Sequence, residues 1–139
     1  MGEVRVEVEI ENTGDRILAS RGFMERNAVR CQKVRLVADR GAVMPMLPHD
    51  LVEALGLPIV GTAIVTYADE RKEERPIAGP LTIRIDKRST TGDCVVGPPS
   101  SEPLLGQIPL EAMDLLVDCQ RGQLVPRPES PYLPTLKLK

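Results

Sequence analysis

The chain has no tryptophan, one phenylalanine (Phe23), two tyrosines (Tyr67 and Tyr132) and one histidine (His49) among its 139 residues. Each scarcity removes a class of function. With so few flat faces there is no platform on which bases stack, which argues against single-stranded nucleic-acid binding. A formal net charge of −2 also lacks the basic footprint of a duplex binder. One histidine and no Cys-x-x-Cys leave no ligand set for zinc, so no metal and no cofactor are expected. A serine or cysteine nucleophile would have to recruit His49 as its base, and no Gly-x-Ser-x-Gly elbow is present. The glycine-rich phosphate loops of nucleotide-binding proteins are missing as well. What is left is carboxylate chemistry or no chemistry.

The three cysteines, Cys31, Cys94 and Cys119, are odd in number and widely spaced, which suits reduced thiols better than a disulfide framework. Cys94 sits in the apolar run Cys94-Val95-Val96 and is expected as a small core residue. No apolar run approaches the length of a membrane span. Met1-Gly2-Glu3-Val4-Arg5 is charged at once and has no apolar signal region, and Val6 stands where the myristoylation pattern needs Ser or Thr. The expectation is a soluble cytoplasmic protein with neither a membrane nor a nucleic-acid partner.

A chain of this length is one domain, expected over residues 1–125, with a proline-rich, extended tail over 126–139. Val4-Arg5-Val6-Glu7-Val8-Glu9-Ile10 alternates apolar and charged residues, the signature of a strand with one wet face. Asn12-Thr13-Gly14-Asp15 reads as a turn, and 16–27 as a loop with one short helical or strand piece. A strand follows over 33–38, then an apolar run over 43–47 interrupted by Pro45. Proline near its start and Gly56 at its end make Pro48-His49-Asp50-Leu51-Val52-Glu53-Ala54-Leu55-Gly56 a short helix.

Strands are expected over 59–67 and 76–85, the second with Leu81, Ile83 and Ile85 on one face and Thr82, Arg84 and Asp86 on the other. Between them lies the most charged run, Ala68-Asp69-Glu70-Arg71-Lys72-Glu73-Glu74-Arg75. A strand over 92–96 precedes the rigid loop Gly97-Pro98-Pro99-Ser100-Ser101-Glu102-Pro103. A short helix over 109–113 and a hairpin over 115–119 and 122–125 complete the pattern. Many short strands, turn signals and two small helices predict an all-β barrel or sandwich.

The most informative stretch is Leu36-Val37-Ala38-Asp39-Arg40-Gly41-Ala42, an apolar strand that ends on an acid, one further residue and a glycine. A carboxylate closing a buried strand is expected where water is scarce; there the charged form is penalised and the pKa is adjustable, as acid–base chemistry requires. Glycine lets the backbone turn sharply and approach a partner closely. Much further on, Leu104-Leu105-Gly106 is a second apolar pair closed by glycine.

Together these motifs resemble the active-site loop and the later apolar-apolar-Gly element of the retropepsin-like aspartic proteases. The likeness extends along the chain. A Leu-Pro opens into a short helix ending Leu55-Gly56-Leu57, a Tyr67-Ala68-Asp69 hairpin follows, then Leu-Leu-Gly and another short helix. That order is similar to the single-domain bacterial and archaeal relatives of retroviral proteases. The resemblance implies an acid-protease barrel with one or two short helices.

It also implies Asp39 as the catalytic residue, with Arg40, Gly41 and Ala42 forming its loop. Tyr67, Ala68, Asp69, Glu70 and Arg71 would form the flap over the cleft. Such chains carry one catalytic aspartate each, so the implied enzyme is a homodimer cleaving an extended peptide or protein substrate at a two-fold axis. Two facing carboxylates share a proton; one activates water while the other donates to the substrate carbonyl.

Two departures matter. Family hairpins often carry glycine near the tip, where this chain has Glu70. The family loop reads Asp-Thr-Gly or Asp-Ser-Gly, and the small hydroxyl bonds across the axis; here the residue is Arg40. An arginine within hydrogen-bonding range lowers an Asp pKa by about 1–3, which could leave both acids ionised with no proton to share. With Arg40 turned outward the dyad remains usable. Two classes therefore stay open: an aspartic endopeptidase, and a catalytically silent homolog that binds an extended peptide by strand addition.

Overall fold

The structure, a computed structural model, describes residues 3–138. The alternating run forms β1 (Arg5–Asn12), which pairs antiparallel with β2 (Cys31–Val37) from Arg5↔Val37 to Glu11↔Cys31. Its apolar face is buried at Val8 and Ile10, as the period-two pattern requires. The opposite face is not wet along its whole length. Glu11 is 1 % exposed, held by Arg16 at 2.6 Å and Arg84 at 3.2 Å. The hydrogen bond from Arg16, helped by Arg84, keeps its carboxyl below the ordinary range.

That face is covered by a helix which the expected turn at 12–15 in fact starts. Asn12 caps α1 (Thr13–Ser20), its Oδ1 accepting from the Asp15 N–H at 3.0 Å. The first turn of α1 then ties itself to the sheet through polar groups. The Thr13 and Thr82 hydroxyls lie 2.7 Å apart, and Asp15 takes Nε and Nη2 of Arg30 at 2.8 and 2.9 Å. Thr82, on the face opposite Leu81 and Ile83 as expected, is buried as a result. A short 3-10 turn, Arg26–Ala28, leads into β2.

After β2 come β3 (Met46–Pro48) and α2 (His49–Ala54), with Pro48 as the N-cap rather than the first helical residue. Leu51 and Val52 anchor α2 in the core. β4 (Ile59–Thr66) then turns back into β5 (Lys72–Ile85), which turns again into β6 (Arg88–Gly97). The largest boundary differences from expectation are at the starts of β5 and β6. Lys72 to Arg75 belong to β5, because they pair with β4 from Thr66↔Lys72 to Ala63↔Arg75. β6 begins at Arg88 instead of Gly92, because it pairs with β5 from the turn at Asp86 onward. The chain ends with α3 (Gln107–Ala112), β7 (Leu115–Asp118) and β8 (Gln123–Pro126).

Six strands form one sheet in the order β2-β1-β5-β6-β3, with β4 attached to β5, and β7-β8 stand apart as a two-stranded sheet. The all-β character with short helices is as expected, although the α-helices among the described residues number three. Among the described residues the strands do not close into a barrel. The buried face of the large sheet, Leu47 of β3 included, packs against Leu55, Leu105 and Met113. Cys94 is fully buried there, and burial pushes its thiol up to about 12. No helix among the described residues is long and apolar enough to cross a membrane.

Candidate active site

The two glycine-closed motifs meet in space. At the end of β2 the Val37 N–H donates to the Pro103 carbonyl at 3.0 Å, and the Leu105 N–H donates to the Val37 carbonyl at 2.8 Å. On its other side Leu104 exchanges two bonds with Met46, at 2.9 and 3.0 Å. Segment 103–105 therefore runs between the two limbs of the loop that carries Asp39. Gly106 makes the crossing possible. Its φ is 82°, and a Cβ there would lie 2.6 Å from the Met44 carbonyl oxygen, so only glycine fits.

Immediately beyond, α3 begins without a side-chain cap. Its free N–H groups find the Asp39 loop instead: Gln107 donates to the Ala42 carbonyl at 2.7 Å and Ile108 to that of Val43 at 3.0 Å. Loop and helix thus satisfy each other's backbone.

Asp39 sits two residues past the end of β2. Its Oδ1 accepts from the Gly41 N–H at 2.8 Å, and the Ala42 N–H reaches its carbonyl at 3.3 Å. A Cβ at position 41 would stand 3.1 Å from that Oδ1, which is the close approach expected of the glycine. The expected dryness is not found in the single chain. Asp39 is half-buried and borders an open groove of about 280 Å³. Val4, Val37 and Leu104 form the groove's apolar floor, with Glu3 and Glu102 at its rim. Strand β2 delivers the acid to the surface because the loop beyond Val37 carries it clear of the core. Arg40 is exposed, and among the described residues it forms no ion pair with Asp39 or any other acid.

The hairpin residues are not part of this groove. Tyr67 and Arg71 close the β4–β5 turn through a 2.9 Å backbone bond, with the Arg71 guanidinium 4.5 Å over the Tyr67 ring. The Tyr67 hydroxyl donates to Glu73 Oε1 at 3.1 Å; partial burial and that carboxylate raise its pKa. Ala68, Asp69 and Glu70 are exposed at the tip, and none of the five residues lines the Asp39 groove. Glu70 has a φ of 67°, so it occupies a left-handed position that suits glycine.

Sequence reasoning did not find the other walls of the groove. Val117 and Cys119 arrive from the β7–β8 hairpin, a placement that no local pattern announces. It also did not find the polar cluster of Arg88, Asp114, Arg127 and Ser130 behind α3. The chain matches no protein-family model and no curated protein.

Proposed function

We propose that the protein is a retropepsin-like aspartic endopeptidase that works as a homodimer, with Asp39 of each copy facing the other across a two-fold axis. The observation that carries this reading is the threading of Leu104-Leu105-Gly106 between the limbs of the Asp39 loop. It fixes a carboxylate at the molecular surface, half-buried and without a cation, where a second copy would exclude water. In that dimer the two acids would share one proton. One Asp39 would take a proton from water as it attacks the scissile carbonyl, and the other would donate to the carbonyl oxygen. Gly41 N–H holds the acid in place through Oδ1. The hairpin tip, Tyr67 to Arg71, would close over the bound peptide.

Arg40 supports a second reading, a dimeric peptide-binding module without catalysis. Its guanidinium is exposed and unengaged by any carboxylate among the described residues, so it is available to the acid of the facing loop.

A peptide-library digest from acid to neutral pH, with sedimentation on the same samples, separates the readings. A peptidase dimer gives cleavage that Asp39→Ala abolishes, with a rate loss of about a thousandfold or more. If Arg40 silences the dyad, the native chain is inert and Arg40→Thr gains Asp39-dependent cleavage, strongest in acid. A strict monomer at micromolar concentration defeats the endopeptidase proposal. So does an Arg40→Thr variant that dimerises and remains inert.

A further inference from the structure

We propose that Arg88 and Asp114 are positioning residues for the Asp39 loop, acting through α3: the C-terminal segment clasps one end of this helix while its other end holds the loop. The mechanical part stands on hydrogen bonds alone; its consequence for catalysis rests on the endopeptidase reading.

Asp114 lies two residues past the end of α3, just beyond its C-cap Met113, at a φ of 59°, and is buried. Its carboxylate receives the Arg127 Nε–H, the Ser130 hydroxyl and, at 3.0 Å, the Thr135 N–H. Arg88, also buried, donates to the carbonyls of Met113 at 2.8 Å and Asp114 at 3.1 Å, and to that of Ser130. Two buried charged side chains therefore staple the start of the tail onto the end of α3. The expected domain limit at residue 125 falls inside this unit.

α3 has only six residues. A helix this short does not hold itself, so its position depends on its buried face and on what grips its ends. Leu110 and the following Met113 supply the buried face. The clasp grips one end, and at the other Gln107 and Ile108 grip the carbonyls of Ala42 and Val43. A shift of the helix must break bonds at one end or the other. The path from tail to Asp39 is thus a continuous series of hydrogen bonds through one small rigid element.

The test uses the full chain. Asparagine tolerates the left-handed backbone as well as aspartate does, but Asp114→Asn turns an amide N–H group toward donors that need an acceptor. Amide exchange at Gln107, Ile108 and Ala42 should then accelerate about tenfold or more, while Ile10 and Ile83 in the sheet keep their native rates. Ser130→Ala should give the same pattern with smaller amplitude. Arg127→Gln should reproduce it and Arg127→Lys should largely restore native rates. Equal acceleration at Ile10 and Ile83 would mean a general loss of stability and would overturn the proposal. So would a freed Thr135 amide with unchanged rates at Gln107, Ile108 and Ala42. Should Asp114→Asn not fold, the Ser130 and Arg127 variants decide the matter by the same readout.

On a cleaving background, native or Arg40→Thr, Asp114→Asn should lower kcat at least tenfold with little change in KM, because the acid and not the groove is displaced. An unchanged kcat overturns the positioning role. If no background cleaves, the endopeptidase reading has failed, and the exchange pattern still decides the clasp.

Discussion

At the scale of single residues, backbone conformation explains which positions are constrained and which depart from an ideal choice. Gly106 has no substitute at hand, because a Cβ would meet the Met44 carbonyl, whereas at Gly41 a Cβ would crowd the Asp39 carboxylate at 3.1 Å and oblige it to shift. Glu70 is the reverse case. It adopts a φ of 67° at an exposed hairpin tip, where its side chain makes no compensating bond among the described residues. A left-handed backbone costs an ordinary residue about 1–2 kcal/mol, and glycine returns part of that as unfolded-chain entropy. Glu70→Gly should therefore stabilise the fold by up to about 1 kcal/mol, read as a raised denaturant midpoint with unchanged slope. A lower midpoint would show that Glu70 is held by something beyond its own turn. The departure from a glycine tip, legible in the sequence, thus has a structural counterpart in the dihedral itself.

At the scale of elements, the edges of the large sheet are unequal. β2 carries Lys33 and Arg35 along its outer side, charges of the kind that discourage pairing with another chain. β4 carries none: Ile59, Val60 and Ile64 are 58, 54 and 68 % exposed on a strand whose only partner among the described residues is β5. Ile64→Lys should leave folding stability within about 0.5 kcal/mol while lowering light scattering at high concentration. Unchanged scattering would mean that this edge is not the site of self-association. The same contrast explains what the sequence revealed. β1 and the second half of β5 alternate cleanly because one face meets the core, and both were legible. The first half of β5 reads as a charged turn because its ribbon with β4 has no core face to demand apolar residues. α1 was hidden for a related reason: Ile17 and Leu18 point outward, and its attachment runs through Asp15, Arg16 and Thr13. The Asp39 loop and Leu104-Leu105-Gly106 were legible because glycine marks both, whereas the clasp behind α3 is built from polar residues far apart in sequence that follow no period.

At the scale of the whole molecule, the apolar core lies on one side of the large sheet, and the outer pieces are fastened to it by buried carboxylates. Asp15 ties α1 to the approach of β2, Glu11 ties α1 to β1 and β5, and Asp114 ties the tail to the end of α3. All three are held below their ordinary values, chiefly by hydrogen bonds from Arg30, Arg16 and Arg127 respectively. A carboxyl whose folded pKa is depressed binds fewer protons folded than unfolded in the acid range. Its contribution is therefore complete above the unfolded value of about 4, and is lost as pH falls through the lower folded value. Stability should be flat from about pH 7 to pH 5 and fall steadily below about pH 4. Asp15→Asn should cost about 1.5–3 kcal/mol at neutral pH and make the acid limb shallower, because one of the titrating groups is gone. An acid limb as steep as the native one would mean that Asp15 keeps its ordinary affinity for protons. Asp114 is held by donors from three tail residues, Arg127, Ser130 and Thr135, where Asp15 has Arg30 alone, so its clasp is the last to open on acidification. Chain opening in acid should accordingly begin at α1, with the Thr135 amide still protected when those of α1 already exchange freely.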